Sequence, residues 1–224
     1  MSNVVEYTWS PDLRLYRATR RMLTPLIRWY FHADWSGAEH IPSQGSVVLA
    51  CNHLSNLDPV LLGAACPRQV NYLAKAELFR VPVFGSLIRR YGAIPLQRSA
   101  SDPEAIRLAE RVLERGSLLA LFPEGTRSRD GRIKPFRFGA ARLALKHNVP
   151  LVPAAICGTQ AAMPTGAKVP HRAPVRIAFG PPLDLTPYRY AQMQQTPEAA
   201  FISEATAKLQ AAVTNLKQLL DQGD

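Results

Sequence analysis

Short apolar runs alternate with segments of helical spacing along most of this chain, and that alternation constrains the fold more than any other feature. The runs are VVLAC (47–51), VNYLA (70–74), AIPL (93–96), LLALF (118–122), PLVPAAI (150–156) and VRIAF (175–179). Between them lie PVLLGAAC (59–66), PVFGSLIRR (82–90), DPEAIRLAERVLERG (102–116) and FGAARLALKH (138–147). Strands separated by helices of this length predict βαβ units, and hence a mixed, largely parallel sheet flanked by helices. A final helix is expected over 198–220, where Phe201, Ala205, Leu209, Ala212, Leu216 and Leu220 recur at helical spacing. No internal repeat and no linker divides this α/β unit. Residues 165–174, rich in Pro, Gly and basic side chains, read as a surface loop.

Composition narrows the class. At 224 residues, 47% apolar and 20% charged, the chain is not a disordered protein. It is long enough to bury a core without disulfides or a structural metal. Cys51, Cys66 and Cys157 are too few and too scattered for a disulfide framework or a thiolate zinc site, so an intracellular location and no metal centre are expected. The first residues have no apolar h-region, so no signal peptide is expected. The longest charge-free stretch, 147–167, carries three prolines and two glycines and does not suit a membrane helix. The net charge of +10 points to a polyanionic partner: nucleic acid, an acidic membrane surface or a phosphorylated substrate. No nucleic-acid motif is visible, and aromatic residues do not interleave with the basic loops as stacking platforms would.

Residues 11–33 read as a helix with two faces. At about 100° per residue, Arg14, Arg17, Arg21 and Arg28 fall within roughly one 60° sector. Leu15, Tyr16, Met22, Leu23, Leu26, Ile27, Tyr30 and Phe31 lie opposite. This is the pattern of an interfacial membrane helix. Pro25, preceded by Thr24 as a possible N-cap, predicts a kink or a pair of helices. Residues 1–36 are therefore assigned as an N-terminal docking segment, and 37–224 as the α/β domain with its C-terminal helix.

Two segments carry reactive groups where strands end, the edge at which open α/β sheets bind ligands. Asn52–Pro59 (NHLSNLDP) follows the run 47–51. Asp58 before Pro59 reads as an N-cap with proline at the first helical position. A continuous helix would hold His53 and Asp58 about 140° apart, whereas a loop would let them meet. In that case the carboxylate fixes the imidazole tautomer and stabilises the imidazolium as the other nitrogen takes a proton. The second segment, Phe122–Gly131 (FPEGTRSRDG), offers glycine for close backbone approach, two hydroxyls, and Arg127 as a bidentate phosphate ligand. Arg129, Arg132, Lys134 and Arg137 make its surroundings basic.

In order and spacing these segments resemble the motifs of the glycerophospholipid acyltransferase superfamily, above all its bacterial lysophosphatidic acid (1-acyl-sn-glycerol-3-phosphate) acyltransferase branch. NHxSxxD is matched by Asn52, His53, Ser55 and Asp58, and FPEGTRS by residues 122–128, about seventy residues on. The segments 74–78 and 135–139 also resemble that family's intervening sequence, and the likeness covers roughly residues 37–185. One motif departs: the acid that usually precedes its arginine is Gln97 here, before Arg98.

The resemblance implies an α/β acyltransferase fold with an N-terminal membrane-docking element. It implies transfer of an acyl chain from a thioester of CoA or acyl carrier protein to a lysophospholipid hydroxyl, with His53 and Asp58 as catalytic dyad. Glu124, Gly125, Thr126 and Arg127 are expected to bind the glycerol phosphate, with Arg98 and Lys75 as further candidates. No bound cofactor or metal is implied. The expected partners are an anionic membrane surface with its lysophospholipid and the acyl donor, at the cytoplasmic face of the inner membrane, where the protein is expected to be peripheral or monotopic. The absence of a GxSxG elbow agrees with direct attack and no acyl-enzyme. Alternatives left open are another lysolipid or glycerol 3-phosphate as acceptor, a thioester hydrolase, and a non-catalytic basic membrane-binding protein.

Overall fold

The computed structural model describes residues 11–96, 103–188 and 198–223. Its centre is a seven-stranded sheet in the order β1-β7-β6-β2-β5-β3-β4. The strands are β1 (Asp34–Ser36), β2 (Val47–Cys51), β3 (Val70–Lys75), β4 (Ile94–Leu96), β5 (Leu118–Leu121), β6 (Leu151–Cys157) and β7 (Arg176–Phe179). All neighbouring pairs are parallel except β6 and β7. Each of the six apolar runs forms a strand, so the mixed, largely parallel sheet read from the sequence is the one observed.

The helices are α1 (Leu13–Tyr30), α2 (Asp58–Ala65), α3 (Phe84–Arg90), α4 (Pro103–Glu114), α5 (Gly139–Lys146), α6 (Thr159–Ala162) and α7 (Glu198–Gln222). Strand side chains point alternately to the two faces, so one apolar run supplies two cores. In β2, Val48 and Ala50 join a cluster with Leu108 and Val112 of α4, Ala141 and Ala144 of α5, and Leu209 and Val213 of α7. Val47, Leu49 and Cys51 join the opposite cluster with Leu61, Leu62 and Ala65 of α2, against which Ile27 and Tyr30 of α1 pack. Burying a side chain of Leu size stabilises by about 1.5–3 kcal/mol, so a strand covered on both faces is strongly held.

Two local expectations change. Residues 34–36, assigned to the N-terminal segment, form β1 and pair with β7. Pro25 divides nothing: one helix runs through it, capped by Asp12, whose carboxylate accepts the Leu15 N–H at 3.0 Å. Pro153 lies in a strand with neighbours on both sides, a place where proline is normally excluded. Its carbonyl accepts from Gly180, just past the end of β7. The N of a strand residue faces the same way as its C=O, so the missing donor falls where the β7 ladder has already stopped.

β2, β3, β4 and β5 run in one direction, so the segments that follow them leave from one edge of the sheet. No helix among the described residues is long and apolar enough to cross a membrane.

Candidate active site

β2 ends at Cys51, and Asn52 turns the chain out of the sheet without losing its bonds. The Asn52 amide donates to the Ile156 carbonyl at 3.0 Å and accepts the Ile156 N–H at 2.9 Å. A side chain thus continues the ladder to β6, and the backbone is released into the loop that carries His53. That loop closes on Asp58. Its Oδ2 accepts from the Leu54 and Ser55 N–H groups at 2.6 and 2.8 Å, and lies 2.7 Å from His53 Nδ1. Asp58 is fully buried, while the His53 side chain is 19% exposed.

This geometry corrects the capping role. α2 starts at Asp58 itself, with Leu57 at the cap position. The carboxylate reaches back over the preceding loop rather than forward to the helix, and its buried Oδ1 accepts from no protein group. With Nδ1–H committed to Asp58, the tautomer is set and Nε2 carries the lone pair.

The loop after β5 grips His53 from the other side. The His53 N–H donates to Glu124 Oε1 at 2.8 Å, and its carbonyl accepts the Ser128 N–H at 2.7 Å. Phe122 stacks on the imidazole, with centroids 4.2 Å apart and planes 20° apart. The ring, the backbone donor and the backbone acceptor of His53 are therefore all held by residues of FPEGTRS. Phe122 entered the sequence reading only as a motif position, and Ser128 as a motif position and one of the loop's two hydroxyls. Their contacts with His53 join segments about seventy residues apart, and local pattern carries no signal for that.

Glu124, expected at the phosphate, is turned inward onto backbone donors. It is 4% exposed, and its second oxygen accepts the Lys134 N–H at 3.0 Å. Both oxygens are thus spent on backbone donors. Burial pushes its carboxyl above the ordinary range, opposed by those two N–H groups.

The neighbouring residues do face outward. Gly125 and Thr126 are exposed, and Arg127 is half-buried. Gly125 takes φ +70°, and a Cβ there would stand 2.7 Å from Arg137 Nε, so glycine is what admits that guanidinium against the turn. Lys134 Nζ donates to the Arg127 carbonyl at 3.0 Å and steadies the loop. Arg137, which the sequence reading held only as part of a basic stretch, thus stands beside the anion-binding candidates.

Lys75 is the exposed last residue of β3, on the same sheet edge, with β5 between its strand and β2. β4 also ends at that edge with Leu96; Gln97 and Arg98 lie outside the described residues. Among the described residues no three His, Cys, Asp or Glu side chains are grouped as a metal site requires.

Similarity to known proteins points one way. Residues 32–157 match the model of the acyltransferase family. A 1-acyl-sn-glycerol-3-phosphate acyltransferase of Bacillus subtilis is 29% identical over 185 residues, covering 82% of this chain and 87% of that protein. The chloroplastic 1-acyl-sn-glycerol-3-phosphate acyltransferase BAT2 of Brassica napus is 33% identical over 158 residues, 69% of this chain. The chain matches only 46% of that plant protein's length. The crystal structure of the 1-acyl-sn-glycerophosphate acyltransferase of Thermotoga maritima superposes with a TM-score of 0.66. The match covers 89% of this chain and 82% of that one at 24% identity, a likeness of fold.

Proposed function

This chain belongs to the acyltransferase family, and from that premise we propose that it moves a fatty acyl group from a thioester to the free hydroxyl of 1-acylglycerol 3-phosphate, giving phosphatidic acid. The thioester is that of acyl-CoA or acyl carrier protein. The observation that carries the reading is the 2.7 Å contact between His53 Nδ1 and the buried Asp58 carboxylate, beside the Glu124–Arg127 turn.

An alcohol is a poor nucleophile until it loses its proton. Nε2 of His53 takes that proton as the hydroxyl oxygen attacks the thioester carbonyl. The imidazolium that forms is stabilised by Asp58 on one side and by the negative face of the Phe122 ring on the other. The tetrahedral intermediate collapses, the C–S bond breaks, and the thiolate takes the proton from Nε2. General-base assistance of this kind contributes about 10²–10⁴-fold. Arg127, with Gly125 and Thr126 at the turn and with Lys75 and Arg98 as further candidates, holds the acceptor phosphate and so places its hydroxyl at Nε2. Glu124 acts by positioning His53.

The acceptor is a lipid, so the enzyme must work at a membrane surface. In this reading α1 docks peripherally on the cytoplasmic face through its arginines and its exposed apolar side chains. Met22, Leu23, Leu26 and Trp29 are all exposed, as are Arg14, Arg17, Arg21 and Arg28.

The test is a matrix of acceptors and acyl donors with purified protein and detergent-dispersed lipid, read by mass spectrometry. Phosphatidic acid should form from lysophosphatidic acid and at least one thioester. No product across the donor panel overturns the assignment, and free fatty acid released without an acceptor assigns a hydrolase instead.

A further inference from the structure

We propose that residues 78–87 form a second lipid-inserting element which, together with α1, seats the His53 edge of the sheet on an anionic bilayer. The proposal rests on the reading of α1 as a docking helix and extends it to a segment about fifty residues further along the chain.

Five large apolar side chains are exposed within these ten residues: Leu78, Val81, Val83, Phe84 and Leu87. Single exposed apolar residues are ordinary, but a cluster this dense marks an interaction surface. At its tip the backbone is strained. The Phe84 N–H donates to the Pro82 carbonyl at 2.6 Å, with Val83 at φ 63° and ψ −54°. That is a γ-turn of the rare positive-φ kind, and a β-branched residue is poorly suited to it. Glycine would adopt it freely. The strain presents a valine that is 85% exposed, which gives the folded chain no compensating burial.

The placement brings the two elements together. Residue 78 follows closely on Lys75 at the active edge, and α3 then carries the chain away from it. Where α3 ends, the Arg90 carbonyl accepts the Asp12 N–H, Arg90 pairs with the Asp12 carboxylate at 2.8 Å, and the Tyr91 hydroxyl donates to Thr19. α1 therefore begins where α3 ends. α1 finishes back near the active edge, where the Phe31 carbonyl accepts from Val175 just before β7. Leu26 and Trp29 near the end of α1, Val60 in the first turn of α2, and Val81, Val83, Phe84 and Leu87 thus lie toward this end of the molecule, and all seven are exposed.

The charge selects the occupant. Arg28 and Arg80 are exposed close in sequence to these side chains, Arg14, Arg17 and Arg21 are exposed further back along α1, and the chain carries +10 overall. A surface with an apolar interior and acidic headgroups meets both features. A second copy of this chain would bring the same positive charge to the contact.

Flotation with phosphatidylcholine–phosphatidylglycerol vesicles tests the proposal. Val83→Gly, and separately the pair Val83→Ser and Phe84→Ser, should each lower vesicle partition, the pair by about tenfold or more. The melting temperature of Val83→Gly should hold or rise, because glycine relieves the turn. Unchanged partition in a folded Val83→Gly protein and in the Ser pair overturns the proposal, as does binding lost only together with the fold. The pair Arg17→Glu and Arg21→Glu separates this from the α1 reading. Partition lost there but kept in the Val83 variants leaves α1 standing alone, and the reverse pattern supports residues 78–87 while rejecting α1. If light scattering shows a dimer that the Val83 variants dissolve, the face belongs to a second copy and the proposal fails.

Discussion

The loop around His53 and the rim formed by the end of α1 and residues 78–87 lie toward one end of the sheet, yet their side chains are held in opposite ways. In the loop, Asp58, Asn52, Ser55 and Glu124 are buried, and each is engaged by named backbone groups. In the rim, Trp29, Val60, Val83 and Phe84 face outward. On the function and docking proposed above, the difference follows from what each region must do. Proton transfer needs groups fixed before substrate arrives, because reorganisation at the moment of reaction would cost catalysis. A surface that meets lipid needs only apolar area and positive charge, and packing it within the chain would remove it from use.

The sharpest way to break this comparison is Asp58→Asn. An asparagine must set its NH₂ either against the donors now held by Oδ2 or at the buried Oδ1 position, where no protein acceptor waits. It also removes the charge that stabilises the imidazolium. We expect kcat to fall by at least about 10²-fold, with a stability loss of about 1–3 kcal/mol measured by denaturant titration. His53→Ala should match it in rate, and the double variant should be little worse, because the two act as a unit. Retained activity in Asp58→Asn would reduce the pair to a structural contact.

Glu124→Gln comes next. It keeps one acceptor but turns an NH₂ toward a backbone N–H, so His53 shifts. We expect kcat to fall by about 10–10²-fold with KM for both substrates little changed, since misplacement by about 1 Å can cost that much. A selective rise in the acceptor KM would return Glu124 to the phosphate site. The pH dependence has a definite sign. Burial raises the folded-state carboxyl of Glu124, so its contribution to stability is most favourable at low pH and is lost as pH rises through the raised value. Glu124→Gln should flatten that slope in a melting-temperature profile.

Arg127→Lys sharpens the division between positioning and binding. Lysine keeps the charge but loses the planar fork. KM for the phosphorylated acceptor should rise by about tenfold, a cost of about 1.4 kcal/mol, while KM for the acyl donor stays put in steady-state assays. Equal effects on both would make Arg127 structural.

The smallest effect belongs to the rim. The Leu15 N–H and the Arg90 guanidinium hold the Asp12 carboxyl below its ordinary 3.8. Its support of α1 is therefore present above pH 3.8 and fades as pH falls through the lowered value. Asp12→Ala should speed amide exchange in the first turn of α1 and leave the exchange of β2 unchanged.

How much of this was legible in the sequence varies with the range of the interaction. The apolar runs announced their strands because burial is a property of the residues themselves, and six of the seven strands were read that way. β1 was not: Asp34, Trp35 and Ser36 carry no apolar run, and only pairing with β7, some 140 residues away, makes them a strand. Asp58 before Pro59 looked like a cap because that pattern is local. Its actual direction depends on where the loop from β2 puts the Leu54 and Ser55 N–H groups.

His53, Asp58 and Arg127 were named from their motifs, and the amphipathic face of α1 from its spacing; both are carried by neighbouring residues, where sequence determines chemistry directly. The tertiary structure alone decided that Glu124 supports His53, that Arg137 stands against Gly125, and that Val83 is thrust outward in a strained turn. The first depends on the packing of strands whose loops are about seventy residues apart in the chain and the second on how one loop folds back on itself; the turn at Val83 runs against valine's own backbone preference, so the residue type does not announce it.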